Sequence, residues 1–286
     1  MMSDPFKILE PTCISFSGGR TSAYMLWRVL QSNNGLPEDA VICFANTGKE
    51  EEATLRFVER CSTEWNVPIT WVEFDYNEDT SKRFKVVNFE TASRNGEPFE
   101  SVIFKIRANG YLPNPVTRFC TIEMKIRPVG KYLRSIGFAA TQTAAENMSW
   151  VGIRADEQRR VAKIADKDRM PLAAAGVTKE MVGNFWRAQS FDLELPNNNG
   201  VTMHGNCDLC FLKPTSQILS LISEKPSRAI WWAEMESKCQ SSGMTTGDGA
   251  RFRKDRPSYA DMMKFSADQR SFFDPAEEGI SCFCGD

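Results

Sequence analysis

The first third of the chain alternates short apolar runs with amphipathic segments, and this alternation limits the fold more than any other feature of the sequence. β-Prone runs at 13–16, 40–44 and 69–74 are separated by segments with helical spacing of apolar residues at 21–31 and 50–65. Parallel strands need a long crossover connection, which is usually a helix. This βαβαβ order therefore predicts an α/β fold with a doubly wound, mainly parallel sheet.

The rhythm breaks after the third predicted strand. The segment 81–115 is rich in basic residues and contains Gly and Pro, so we interpret it as an insertion or lid near the active face. Residues 121–136 have a helical pattern with Pro128 in or near a break, and a fourth strand is predicted at 150–153.

The last third of the chain has a helical pattern. Helices are predicted at 215–223 and 227–238, and the Gly- and Arg-rich stretch 241–257 is expected to be a mobile loop that could close over an anionic substrate. We therefore expect an α/β nucleotide-binding domain over 1–195 and a helical, cysteine-bearing extension over 196–286.

Composition excludes several classes of protein. The 286 residues are 42% hydrophobic with a net charge of −2, so no global basic field indicates nucleic acid. No apolar run reaches the roughly 18 residues of a membrane helix, and no signal peptide is expected. We expect a cytoplasmic protein with reduced thiols. A single histidine, His204, excludes mechanisms that need a His pair.

A glycine loop lies between the first predicted strand and helix, with the sequence Ser17-Gly18-Gly19-Arg20-Thr21-Ser22. Glycines let the backbone come close to an anion, and the first N–H groups of a helix point at it unpaired. The hydroxyl groups and Arg20 would add donors and charge. The pattern predicts a phosphate-binding loop, the alternative being a plain turn; it matches neither the Walker nor the G-x-G-x-x-G pattern.

This S-G-G-x-x-S loop resembles the PP-loop of the adenine nucleotide α-hydrolase superfamily, and within it the chain is similar to the phosphoadenosine phosphosulfate (PAPS) reductase family. The similar segments are Phe44–Gly48 with Thr54 and Phe57, Cys120-x4-Lys125-x2-Pro128, Gly152-Ile153-Arg154-x2-Glu157-x2-Arg160, Cys207-x2-Cys210 and Cys284-Gly285. The chain departs from the family pattern at Phe119, where cluster-bearing reductases have a cysteine, and in lacking the C-terminal histidine.

The resemblance implies an enzyme that reduces a sulfonucleotide, either PAPS or adenosine phosphosulfate (APS). It assigns phosphate contacts to Ser17, Gly18, Gly19, Arg20, Thr21 and Ser22, adenosine contacts to Asn46, Thr47 and Gly48, and anion neutralisation to Lys125, Arg154 and Arg160, of which Lys125 and Arg154 are expected to be catalytic. Arg154 could instead pair with Asp156 or Glu157. A tail thiolate, Cys282, would attack sulfur, and a thioredoxin-like dithiol would release sulfite.

Cysteines form the second set of candidate site residues. The resemblance implies a 4Fe-4S cluster on Cys120, Cys207, Cys210 and Cys284, since four thiolates suit such a cluster. Structural zinc and ordinary reduced cysteines stay open as alternatives, as does the division of roles between Cys282 and Cys284. The other group, Cys13, Cys43 and Cys61, lies on apolar faces and is expected in the core.

Two other functions remain open. Thr21 stands where ATP-splitting PP-loops carry Asp, which opposes Mg²⁺-ATP chemistry. The first alternative is nevertheless an ATP pyrophosphatase, with Mg²⁺, that adenylylates a substrate such as nucleic acid; a nucleic-acid partner rests on the basic insertion alone. The second alternative is a non-catalytic nucleotide- or redox-sensing protein. The oligomeric state is not predicted.

Overall fold

The computed structural model describes residues 4–106, 110–198, 201–202, 204–205, 207–241 and 250–268. The strands are β1 (Thr12–Phe16), β2 (Ala40–Asn46), β3 (Ile69–Glu73), β4 (Lys85–Val87), β5 (Ser149–Val151), β6 (Asn197–Asn198) and β7 (Val201–Thr202). The helices are α1 (Arg20–Asn33), α2 (Glu52–Glu64), α3 (Glu97–Ser101), α4 (Phe119–Thr121), α5 (Arg127–Ser135), α6 (Gln142–Asn147), α7 (Gln158–Val161), α8 (Pro171–Ala174), α9 (Lys179–Arg187), α10 (Thr215–Glu224), α11 (Arg228–Ser241) and α12 (Tyr259–Asp268). None of these described helices combines the length and apolar character needed to cross a bilayer.

The main sheet confirms the predicted α/β fold. Within the described residues it has five strands in the order β4-β3-β2-β1-β5. β1 pairs in parallel with β2 and with β5, and β2 with β3, whereas β4 lies antiparallel on the edge. The connection that follows β1 leads to β2 on one side of it, and the later connection, from β4, leads to β5 on its other side. This change of direction opens a crevice at the carboxyl ends of β1 and β5. β4 comes from the 81–115 insertion, where no strand was predicted.

Helices cover both faces of the sheet. One face carries Ile14, Phe16, Ile42 and Phe44, which share an apolar cluster with residues of α1, α2 and α9. The opposite face carries Cys13 and Cys43, which pack with Leu133, Ala139 and Ala145 around α5 and α6. The alternation of the strand side chains produces these two cores. The core placement predicted for Cys13, Cys43 and Cys61 is confirmed, since all three are buried.

A second large cluster joins the insertion to the C-terminal helices, which form at the predicted positions. The prediction of a mobile loop over 241–257 is wrong for its described part, 250–257; residues 242–249 lie outside the described residues. Phe252 is fully buried. Arg256 is also buried, because its guanidinium donates to the carbonyls of Lys213, at 2.9 Å, and Phe211. It is therefore not available to close over an anion.

The predicted helix around Pro128 is a run of three helical pieces. α4 leads into a π-helical turn over Ile122–Ile126, and α5 then begins with Pro128 in its first turn. Proline has no N–H group to continue the i→i−4 ladder, so the residues before it adopt a wider turn. The break in the predicted helix therefore lies just before Pro128.

The turn between β1 and α1 is fixed by a close approach of the backbone to α2. Gly18 has φ +80°, and a Cβ atom there would lie 2.6 Å from Thr54 Cγ2 and 3.2 Å from Phe44 Cε2. The other side of the turn is held by Trp186, whose Nε1 donates to the Arg20 carbonyl at 2.9 Å. Glycine is required here both for the backbone conformation and for the space.

We expect Gly18→Ala to destabilise the protein more than Gly137→Ala does. Gly137 has nearly the same φ, +74°, but nothing within 4 Å of its added Cβ. Both variants should lose about 1–2 kcal/mol to backbone strain, and Gly18→Ala about 1–3 kcal/mol more because of the overlap with Thr54. Urea unfolding of the two variants measures the difference. Equal losses would contradict the packing described at Gly18.

Candidate functional site

A cavity of about 910 Å³ lies at the carboxyl ends of β1, β2 and β5. Its floor includes alternate residues of these strands, namely Cys13, Ser15, Cys43, Ala45 and Val151. The roof comes from the segment 111–130, which contains α4 and the π turn, and one wall from the segment 145–169. This is the crevice that the change of connection side opens in an open α/β sheet.

The glycine loop begins at the edge of this cavity, where Ser17 is a lining residue. Ser22 Oγ holds the loop together: it accepts from Ser17 N at 3.1 Å and from Ser17 Oγ at 2.9 Å, and donates to the Gly19 carbonyl at 3.0 Å. Gly19 is the N-cap of α1, and no side chain caps the helix. The first turn of α1 therefore offers backbone amides to an anion.

Arg20 does not send its charge into the cavity. Its guanidinium makes a bidentate pair with Asp192, at 2.7 and 2.8 Å, and also donates to the Leu193 carbonyl at 2.6 Å. A further bond to Thr202 Oγ1 measures 3.0 Å. These contacts tie the start of α1 to the chain that follows α9. The guanidinium of Arg20 therefore does not serve the phosphate contact predicted for this residue. Its backbone amide is the group left for that contact.

The end of β5 packs directly on the glycine loop. A Cβ on Gly152 would lie 3.1 Å from the Ser22 Cα, a tighter contact than most Cβ atoms make, so glycine favours this approach. Two residues later, Arg154 Nη1 donates to Thr21 Oγ1 at 3.0 Å, and Arg154 Nε pairs with Asp156 at 3.0 Å. Glu157 lies 3.8 Å from the same guanidinium. The structure thus brings Arg154 to the loop but engages it with acids, and it is not a lining residue of the cavity.

Arg160 is placed differently from Arg154. It lines the cavity and is only 7% exposed. Its Nη1 donates to Glu157 Oε1 at 2.5 Å, while its Nε has no hydrogen-bond partner among the described residues. A buried guanidinium with an unmet donor loses solvation without full compensation. An anion in the cavity would supply the missing acceptor.

Lys125 enters the cavity from the π turn before α5. Its Nζ lies 4.0 Å from Glu50 Oε1. The lining also includes three basic residues that were not singled out as site residues: Arg118, Lys163 and Arg169. The sequence feature that could have indicated Lys163 is the basic run that starts at Arg159. Helical spacing alone does not predict which residues of this run face the cavity.

The segment predicted to contact adenosine is buried beside the cavity rather than in its lining. Asn46 Nδ2 donates to Glu73 Oε1 at 2.6 Å and to the Ser93 carbonyl at 2.9 Å. Thr47 Oγ1 lies 2.9 Å from both carboxylate oxygens of Glu50, and the Gly48 amide donates to Asn46 Oδ1 at 3.1 Å. These polar groups brace the end of β2, and Ala45 is the residue of this segment that reaches the cavity.

The described candidate thiols all pack against the cluster that contains the C-terminal helices. Cys207 opposes Glu50 in an isolated antiparallel bridge, and its Sγ lies 3.4 Å from Thr47 Oγ1. Burial raises the pKa of the Cys207 thiol, the Glu50 carboxylate adds to the rise, and the Lys125 ammonium opposes it. Cys210 follows in the same turn, its amide donating to the Cys207 carbonyl at 3.2 Å.

The predicted metal ligands lie partly among the described residues and partly in the tail. Among the described residues, no group of three or more His, Cys, Asp or Glu side chains could hold a metal ion, so Cys120, Cys207 and Cys210 do not form such a group by themselves. The two tail cysteines, Cys282 and Cys284, lie outside the described residues. The four-thiolate site stays a prediction.

Comparison with known proteins identifies a relative but no described activity. No family model matches the chain, and no solved structure matches it. The chain is similar to an uncharacterized nin region protein, ORF290, of Escherichia phage lambda. The two are 30% identical over 210 residues, which cover 72% of this chain and 67% of the phage protein. The chain therefore belongs to the family of the phage lambda nin region protein ORF290.

Proposed function

We propose that the cavity binds an adenine nucleotide, with its phosphate chain on the amides of the 17–22 loop. The observation that carries this proposal is Arg160, a buried guanidinium that lines the cavity with its Nε unpartnered. Ser17, which precedes the uncapped start of α1, lines the same cavity. Together they offer a fixed positive charge and several N–H donors to one anion, as a PP-loop does.

The shape and composition of the cavity favour a nucleotide over a small inorganic anion. Its volume of about 910 Å³ lies in the range of sites for drug-sized ligands. On the floor, the partly exposed side chains of Ser15, Ala45 and Val151 are small and mostly apolar, so a purine can lie on them. Its base would then rest against the sheet while its phosphates meet the loop.

The charges around the cavity favour a sulfonucleotide over Mg²⁺-ATP. Among the described lining residues, five are Lys or Arg and Glu146 is the single carboxylate. Mg²⁺ is usually held by carboxylates together with the substrate phosphates. At Thr21, where ATP-splitting loops have Asp, the neighbour is the Arg154 guanidinium. We therefore propose that protein cations, and not a metal ion, neutralise the nucleotide.

The proposed reaction is reduction of PAPS or APS. The Cys282 thiolate forms a sulfur–sulfur bond to the sulfuryl group while the bond from that sulfur to the phosphate oxygen breaks. The nucleotide phosphate leaves with the electron pair, stabilised by Arg160 and Lys125. One thiol of a thioredoxin-like dithiol then attacks the Cys282 sulfur and expels sulfite, and its second thiol closes a disulfide on the reductant. The dithiol loses the two electrons that sulfur gains.

The predicted 4Fe-4S cluster would be held by Cys120, Cys207, Cys210 and Cys284. When bound, it would polarise the nearby anion. Because desolvation raises the pKa of the Cys207 thiol, ligation would have to displace the thiol proton.

We expect Arg160→Gln to weaken binding of PAPS, APS or both. Losing hydrogen bonds to a charged group costs about 1.5–3 kcal/mol, or roughly a 10- to 150-fold loss of affinity. The matched control is Arg159→Gln, since Arg159 is the neighbouring exposed arginine and does not line the cavity. Thermal shift at graded nucleotide concentrations measures both, because a ligand stabilises the native state by mass action.

Unfolding without nucleotide tests whether Arg160→Gln still folds. A folded Arg160→Gln variant with unchanged affinity would contradict the proposed site. So would a wild-type protein that none of PAPS, APS and ATP stabilises.

Cys282→Ser and Cys284→Ser should separate the two tail thiols. With PAPS or APS and reduced thioredoxin, wild-type protein purified without oxygen should release sulfite. Cys282→Ser should stop sulfite release and keep bound iron and nucleotide affinity, because the nucleophile alone is lost. Cys284→Ser should lose iron, measured by elemental analysis.

If Cys282→Ser loses iron and Cys284→Ser stops sulfite release, the roles of the two residues are exchanged. No sulfite with either nucleotide would reject the reductase, and pyrophosphate release from ATP would replace it with an ATP pyrophosphatase. Tight nucleotide binding with neither product would identify a sensor.

A further inference from the structure

A stripe of cations runs along the outer side of α5. Arg127, Lys131 and Arg134 follow one another at spacings of four and three residues, which places them on one face of the helix. Arg127 and Arg134 are exposed and Lys131 is half-buried. At 1.5 Å per residue, the stripe is about 10 Å long.

A fourth cation, Arg83, joins the stripe from the segment before β4. The rings of Phe84 and Tyr132 meet nearly edge-on at 6.3 Å, so this segment packs beside α5. Arg83 is held in place by its Nε, which donates to the Asn77 carbonyl at 2.7 Å. Burial lowers the pKa of Lys131, and among the cations that lower it further Arg83 has the largest effect.

The stripe carries charge that the fold does not neutralise. Arg127 pairs with Glu123 at 2.6 Å, and Glu123 partly offsets the effect of the cations on Lys131. Lys131 and Arg134 make no ion pair with any residue that the structure describes, and the sequence of α5 contains no acid. Like charges four residues apart destabilise a helix. The whole chain has a net charge of −2, so this concentration of positive charge is local.

The stripe begins at the rim of the cavity. Ile126 and Val129, on either side of Arg127, line the cavity. Three apolar side chains of the rim are exposed to solvent: Val116 by 92%, Ile122 by 44% and Ile126 by 39%. Exposed apolar groups beside a row of cations suit a polyanion that carries a flat apolar group on every unit, as a single-stranded nucleic acid does.

We propose that the surface formed by Arg83, Arg127, Lys131 and Arg134 binds the backbone of a single-stranded nucleic acid. Its bases would lie over Val116, Ile122 and Ile126 at the cavity rim. Unpaired bases are available for such contacts only in single strands. Binding at this surface does not require a nucleotide in the cavity.

Fluorescence anisotropy of a labelled 20-nucleotide oligothymidylate, with the full chain and 50–200 mM salt, tests this surface. Single strands give a salt slope of about −0.7 per neutralised phosphate, so three or four contacts predict a slope of about −2 to −3. The variant Lys131→Gln/Arg134→Gln should flatten the slope by about 1–1.4 and weaken binding at least ~10-fold at 50 mM salt. Arg127 is left unchanged so that its pair with Glu123 remains.

The matched control is Lys225→Gln/Lys264→Gln, which removes the same charge from two exposed lysines, one directly after α10 and one on α12. It should bind the oligonucleotide like wild type. Val116→Ser should weaken binding and leave the salt slope unchanged, because it removes no cation.

Three results would overturn the proposed surface. They are no binding by wild-type protein at 50 mM salt, an equal loss in the control pair, and equally tight binding of polyglutamate. Unfolding curves of each variant exclude a loss that comes from misfolding. Thermal shift of the same variants with nucleotide measures binding in the cavity separately. Failure at one site therefore does not imply failure at the other.

Discussion

Close backbone contact at two glycines is the constraint on which the candidate site depends. Gly18 lets the β1–α1 turn rest on Thr54 of α2, and Gly152 lets the end of β5 rest on Ser22. A Cβ atom would overlap Thr54 at the first contact and crowd the Ser22 backbone at the second. Together they hold the first turn of α1 at the carboxyl edge of the sheet, between the two strands where the direction of connection changes. The cavity lies beside this arrangement, with Ser17 and Gly152 in its lining.

Two carboxylates decide which arginines face that cavity. Asp192 takes the guanidinium of Arg20 and turns it toward the chain after α9. Glu157 binds Arg160 through one nitrogen and leaves Nε without a partner among the described residues. An arginine that is fully paired stabilises the fold, whereas one that is partly paired and buried retains a donor for a ligand. The difference in role therefore comes from the acid that each arginine meets.

Charge and apolar surface are arranged in sequence along α4 to α5. Lys125 in the π turn lies at the cavity, and the cations from Arg127 onward lie outside it. The end of the π turn at Ile126 separates the two, because the wider turn changes the direction in which side chains leave the helix. A ligand in the cavity and a polymer on the surface would thus meet one continuous helical element. This gives the proposed nucleotide site and the proposed nucleic-acid surface a shared edge.

The sequence by itself determined the α/β order, the positions of β1 to β3, α1 and α2, and the loop of two glycines, because these depend on local periodicity and backbone freedom. Tertiary structure alone decided that Arg20 turns toward Asp192, that Arg256 is buried and that Asn46 braces Glu73. Each of these depends on a partner distant in the chain. A motif predicts which chemical groups are available near a turn, but the direction of a long side chain is set by the charges and carbonyls that the fold brings to it.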